Sequence, residues 1–161
     1  MHSSKIGTVS VYPFALTEQG PRYLALLRAE EIDRLSGTWQ AVHGSVDEGE
    51  TALQAAIREL TEETGLKALA FWQLDYVETF YVPDKDVIEM VPCFAAQLEG
   101  NVSISHEHND FQWLSIEQAK DTFIWRNQRM AVQELHDSIA MKLEKGLPLN
   151  PCAAINPKYY R

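Results

Sequence analysis

Hydrophobic positions recur along this chain with two different periods, and the switches between them mark out its elements. Residues 5–16 (KIGTVSVYPFAL) and 22–28 (RYLALLR) are rich in β-formers and are separated by TEQGP, which predicts two strands joined by a turn. Pro13 inside the first of these predicts an edge position or a bulge. Residues 29–37 (AEEIDRLSG) read as a polar loop, and WQAVHGSVDEGE passes from a short apolar stretch into a glycine-punctuated acidic loop. Thr51–Thr64 is the clearest helix. Thr51 and Gln54 have the spacing of a capping box, and Gly65 is placed to end it. At about 100° per residue, Ala52, Leu53, Ala56, Ile57 and Leu60 form one apolar arc facing a core. Beyond Gly65, residues 68–82 and 87–98 read as two long strands around the loop PDKD. A polar stretch from Glu99 to Asp110 leads to a short strand over 111–115, then a short helix over 116–123 and a long one over 125–145. Residues 146–161 read as an extended arm. Interspersed strands and helices predict a sheet covered by helices, an α/β class, in one domain spanning 1–161.

Composition narrows the function more than the fold. Lys and Arg number 14 against 23 Asp and Glu, a formal charge of -9. Such a surface repels nucleic-acid backbones and anionic lipid, so no nucleic-acid or membrane partner is expected. A phosphate-bearing substrate would need added positive charge, and a divalent cation is the simplest source. Cys93 and Cys152 form no CxxC pair, which disfavours a disulfide scaffold or a thiolate zinc site. The first residues read as an early strand rather than a secretory leader, and no run approaches about 18 apolar residues. A cytoplasmic protein is the expectation.

Candidate chemistry concentrates on the helix over 51–64. Glu59, Glu62 and Glu63 lie together beside the apolar arc, with 59/62 and 59/63 one turn apart. Like charges at that spacing cost a helix about 0.2–0.5 kcal/mol per pair, and three of them belong on a solvated face unless something binds there. Hard carboxylate oxygens at this spacing suit Mg²⁺ or Mn²⁺, which take oxygen ligands and keep several waters. Gly44 and Gly49 allow sharp turning and close approach to a ligand.

Written out, GSVDEGETALQAAIRELTEETGL fits the pattern Gx5Ex7REUxEExGU over Gly44–Leu66, where U is a bulky aliphatic. The chain therefore resembles the Nudix hydrolases. The resemblance implies an α/β/α sandwich with a mixed sheet and a catalytic loop-helix-loop. It implies Glu59 and Glu63 as central metal ligands, with Glu62 as a ligand or an activator of water. It also implies Arg58 and Glu50 as an ion pair tying loop to helix, and the carbonyl of His43, just before Gly44, as a further metal contact.

Outside the box, WQAVHGSVDEGET and EHNDFQWLSIEQA…WRNQRMAV are similar to bacterial Nudix enzymes acting on dihydroneopterin triphosphate or dATP. That similarity implies Glu107 as an additional metal ligand and Arg28 as a phosphate contact. Trp39, Phe80, Tyr81 and Trp125 are candidates to stack on a ring, and Asn127 and Gln128 to hydrogen-bond its edge. His106 and His108 flank Glu107, but imidazoles suit softer metals than Mg²⁺, so a solvated or phosphate-contacting histidine is expected. Glu78 is the alternative ligand should Glu107 not serve. The implied activity is Mg²⁺-dependent hydrolysis of a nucleoside or pterin triphosphate to monophosphate and pyrophosphate, with diadenosine polyphosphate or ADP-sugar hydrolysis as alternatives. A non-catalytic binding module of the same fold is disfavoured because every glutamate of the box is present. The implied partner is a small nucleotide-like substrate, and a homodimer is compatible with this reading.

Overall fold

The computed structural model describes residues 5–29 and 36–161, so most of the polar loop expected over 29–37 lies outside the described residues. Strand β1 (Thr8–Thr17) runs through the middle of a mixed sheet. Along its first half it pairs antiparallel with β4 (Val42–Ser45), and along its second half with β2 (Gly20–Arg28). On its other side β6 (Val87–Gln97) runs parallel to it, and β5 (Ala70–Val82) lies outermost, antiparallel to β6. Both β3 (Trp39–Gln40) and β7 (His108–Leu114) pair with β2. Pro13 is thus in a central strand with unbroken register to β6, contrary to the edge position or bulge expected of it. It is tolerated because β1 changes partner there: β4 pairing stops at Val11 and β2 pairing starts at Phe14.

Helices cover both faces. Helix α1 (Ala52–Thr64) packs on one, where Ala55, Ala56 and Leu60 meet Val9, Val11, Leu24, Leu26 and Val42. Helices α2 (Ile116–Thr122) and α3 (Arg126–Leu135) pack on the other, over Tyr12, Phe14, Tyr23 and Cys93. The capping box of α1 forms as expected between Thr51 and Gln54, and Gly65 closes the helix in the left-handed region at φ 71°. Its buried face differs from the expected arc. Ala55, Ala56, Leu60, Glu63 and Thr64 are buried, while Ala52, Leu53 and Ile57 sit at the margin of the core.

Three further expectations change. The long helix over 125–145 is α3, a π-helical turn over His136–Ala140 and a final turn, α4 (Met141–Glu144). At the turn His136 Nδ1 lies 2.6 Å from the Tyr23 hydroxyl, which ties it to β2. Strand β7 starts at His108, earlier than its polar sequence indicates, because it continues the β2 ladder to Arg28. The C-terminal arm is not free: Gln73 donates to the Ala153 carbonyl and Ile155 to that of Phe71, each at 2.8 Å. The arm covers part of the outer edge of β5, where unpaired backbone groups would otherwise invite association. No helix among the described residues is long and apolar enough to cross a membrane.

Candidate functional site

The site is built where β4 runs through a short loop into α1, next to the end of β2 and the start of β7. Arg58, on α1, organises the loop. Its Nε and one terminal nitrogen donate to the two oxygens of Glu50, each at 2.9 Å, and the same nitrogen reaches the Ser45 carbonyl at 2.9 Å. The other terminal nitrogen donates to Glu59 at 2.7 Å and Glu62 at 3.2 Å. Glu50 also accepts from the Asp47 amide, which closes the turn. Arg58 and then the Asp47 amide hold the Glu50 carboxyl below its usual range, while Glu50 above all pushes the guanidinium pKa up. The ion pair expected between Arg58 and Glu50 is present in this bidentate form.

Gly44 has a steric reason. A Cβ there would overlap the Glu59 carboxyl group, which lies directly over this residue. The strand backbone and the helix carboxyl can approach this closely only across a glycine.

Glu63 is the most unusual group. It lies on the helix face turned to the sheet, only 2% exposed, and neither carboxyl oxygen has a hydrogen-bond partner. This overturns the expectation that its side chain lies outside the buried face. Burial, then repulsion from Glu59 and Glu107, pushes its pKa up to about 9, with Arg28 and the His43 amide opposing. Glu59 is raised by burial and lowered by Arg58. Glu62 is 57% exposed and is held by Arg58 at 3.2 Å.

From β2, Arg28 enters the same region and donates to Glu107 Oε2 at 3.2 Å. Glu107 stands just before β7, where its carbonyl accepts from the Ala29 amide at 2.8 Å. His108, the next residue, departs from the solvated role expected of it. Its side chain is fully buried, with Nε2 at 3.8 Å from Glu63 Oε2. Burial, reinforced by Arg28, pushes its pKa down to about 4, so the ring is neutral. His106 is exposed, so the two histidines do not form a chelating pair.

These groups suit a divalent cation. The donors are hard carboxylate oxygens, and the orphaned, mutually repelling Glu63 is the kind of group that a cation satisfies. Among the described residues no three such side chains already converge at metal-ligand distance, since Arg58 draws Glu59 and Glu62 to itself.

Residues 7–135 match the family model of the NUDIX domain. The chain belongs to the Nudix family. A Nudix hydrolase of Listeria monocytogenes has a TM-score of 0.70 and 26% identity, covering 88% of this chain and 97% of that one. The asymmetrical bis(5'-nucleosyl)-tetraphosphatase of Mus musculus is 33% identical over 105 residues, 61% of this chain and 69% of that protein. The dihydroneopterin triphosphate diphosphatase of Escherichia coli K12 is 42% identical over 62 residues, 38% of this chain and 39% of that one. An octanoyltransferase of Myxococcus xanthus is 31% identical over 119 residues, but the match spans 33% of its length.

In this Nudix fold the remaining candidates are dispersed around the sheet. Trp39 packs against the α2–α3 core. His43 Nδ1 lies 3.0 Å from the Ser10 hydroxyl, and burial lowers the pKa of its ring. Phe80 and Trp125 are exposed aromatics, whereas the Tyr81 hydroxyl is engaged by Asp86 at 2.7 Å. Asn127 holds α3 to β5, accepting from the Tyr76 hydroxyl at 2.8 Å and donating to the Thr79 carbonyl at 3.1 Å. That bracing role differs from the ring contact expected of it. Gln128 is buried, and its amide oxygen has no partner. Glu78 is buried, and its Oε1 accepts from Tyr12 at 2.6 Å and Cys93 at 3.4 Å, so that oxygen is engaged within the core. Sequence reading missed the contact of His108 with Glu63, because no local pattern links residues 45 positions apart.

Proposed function

We propose that this Nudix protein hydrolyses a nucleoside or pterin triphosphate between the α and β phosphates, releasing monophosphate and pyrophosphate. The observation that carries the reading is Glu63, a buried carboxyl without a hydrogen-bond partner, set between Glu59 and Glu107 with Arg28 near. Glu59, Glu63 and Glu107 would hold Mg²⁺, or Mn²⁺ in its place, with the His43 carbonyl as a further contact. The bound cation supplies positive charge against the phosphate oxygens and makes water a better nucleophile.

The chain's own groups divide the remaining tasks. Arg28 offers its guanidinium to phosphate oxygens, and Arg58 fixes Glu59 and the loop through Glu50. Glu62, exposed at the rim, takes the proton as water attacks phosphorus and the bridging P–O bond breaks toward pyrophosphate. Trp39 and the exposed Trp125 are the aromatic surfaces offered to a ring. Similarity to the dihydroneopterin triphosphate enzyme supports the triphosphate reading. Similarity to the mouse tetraphosphatase, over a longer stretch, supports a second reading: hydrolysis of diadenosine tetraphosphate.

A product panel with Mg²⁺ tests both. Monophosphate plus pyrophosphate from triphosphates is expected, with turnover lost in excess EDTA. ATP plus AMP from diadenosine tetraphosphate, with poor turnover of mononucleotides, would favour the second reading. AMP from ADP-ribose with untouched triphosphates would overturn both, and full turnover in EDTA would remove the cation from either.

A further inference from the structure

We propose that His108 is a positioning residue: its buried imidazole N–H sets the Glu63 carboxyl for the cation and anchors the adjoining Glu107 against the same helix. The inference rests on the reading of Glu63 as a metal ligand. His108 and Glu63 face each other with side chains 0% and 2% exposed, His108 Nε2 at 3.8 Å from Glu63 Oε2. That gap is too long for a hydrogen bond. No ring nitrogen of His108 and no carboxyl oxygen of Glu63 has a partner in hydrogen-bond geometry, and the His43 amide comes near enough only to favour the carboxylate, so two polar groups meet in a dry place with little else to bind.

A purely structural residue would not be built this way. Leucine or methionine would fill the space without stranding a donor and an acceptor. Lysine or arginine would neutralise Glu63 and compete with a cation for it. A neutral imidazole offers an N–H without adding charge, and closing the gap by under about 1 Å makes the bond. Carboxylates that bind metals are commonly oriented by such a donor on their other oxygen.

The backbone gives His108 a second connection. It begins β7, pairs with Arg28, and its amide donates to the Ser105 carbonyl at 3.2 Å. Glu107 precedes it directly, with its own carbonyl held by Ala29. His108 is therefore the point where the helix carboxyl and the loop carboxyl share one anchor.

The test compares His108→Gln with His108→Met, two side chains of similar length of which only the first keeps an N–H donor. Mn²⁺ affinity is measured by titration calorimetry on the substrate-free protein, and apo melting temperatures are measured in EDTA. We expect both variants to fold, the Met variant to melt no lower than wild type, and its Mn²⁺ affinity to fall about 10–100-fold. The Gln variant should recover most of that loss. Wild-type affinity in the Met variant, or equal losses in both, overturns the proposal. A Met variant that fails to fold beside a folded Gln variant also overturns it, since His108 would then serve the core. Glu63→Gln is the reference: if it binds Mn²⁺ like wild type, the ligand assignment of Glu63 fails, whereas a weakened Glu63→Gln beside an unaffected His108→Met sinks only the role of His108.

Discussion

Arg58 grips Glu50 with two parallel hydrogen bonds of 2.9 Å, and the same guanidinium reaches Glu59. A lysine cannot reproduce that fork, because a single ammonium cannot bind both carboxylate oxygens and a second glutamate in one plane. Arg58→Lys should therefore lower kcat about 10–100-fold. The melting temperature should fall by only a few degrees, because the pair lies near the surface. A steady-state assay beside a thermal melt checks this, and unchanged turnover would show that the loop needs no such clamp.

Gly44→Ala tests the closest approach in the site. The added methyl would occupy the space of the Glu59 carboxyl, so Glu59 must swing away or β4 must shift. Turnover should drop about 100-fold or more, the scale on which a misplaced group near the chemistry costs rate. Because Glu59 can move toward solvent, the fold should survive, with circular dichroism like that of wild type.

Glu63 links stability to pH in the metal-free protein. Its pKa is raised from 4.5 to about 9 in the folded state. Its stabilising contribution is thus fully present below about pH 4.5 and lost as pH rises through about 9. Glu63→Gln removes that dependence. In EDTA at pH 8 the variant should melt several degrees above wild type, and the difference should vanish near pH 5. Turnover with Mg²⁺ should fall by orders of magnitude. Parallel melting curves across this range would show that Glu63 is not the group that titrates.

Glu107→Gln should slow the reaction while sparing the fold. Glu107 is 40% exposed, and its contact with Arg28 is a partly solvated pair worth no more than about 1 kcal/mol. We expect a kcat loss of about 10–100-fold with a melting temperature within a few degrees of wild type. Equal kinetics beside an impaired Glu63→Gln would remove Glu107 from the ligand set.

The helix carrying the site is the part most fully written in the sequence, since its caps, its length and the Arg58–Glu50 spacing are all local. Even the burial of Glu63 follows from the helical period. At about 100° per residue it falls about 20° from Ala56, and the expectation that it lies outside the arc gave its charge more weight than its angle. What lies against it was not legible, because His108 arrives from another strand within a segment, SHEHND, whose polarity hides a strand start. The central place of β1 was hidden for the same reason: its parallel partner lies far along the chain, and Pro13 argued locally for an edge. Glu78 and Asn127 read as site residues by type, and only their partners, Tyr12 and Tyr76, reveal a bracing function.

The parallel pairing of β1 with β6 has a consequence for how the protein is made. Residues 8–17 must wait for residues 87–97 to leave the ribosome before the middle of the sheet can close. During that interval β1, β2, β4 and α1 have already been synthesised, and α1 has only half a sheet to pack on. The carboxyls of Glu59, Glu62 and Glu63 then repel one another while the sheet beneath the helix is only half built. Parallel closure over so long a loop is slow. The nascent chain should therefore depend on holding chaperones until β6 emerges, and ribosome-bound chains stalled before residue 87 should be far more sensitive to protease than chains stalled after the sheet is complete.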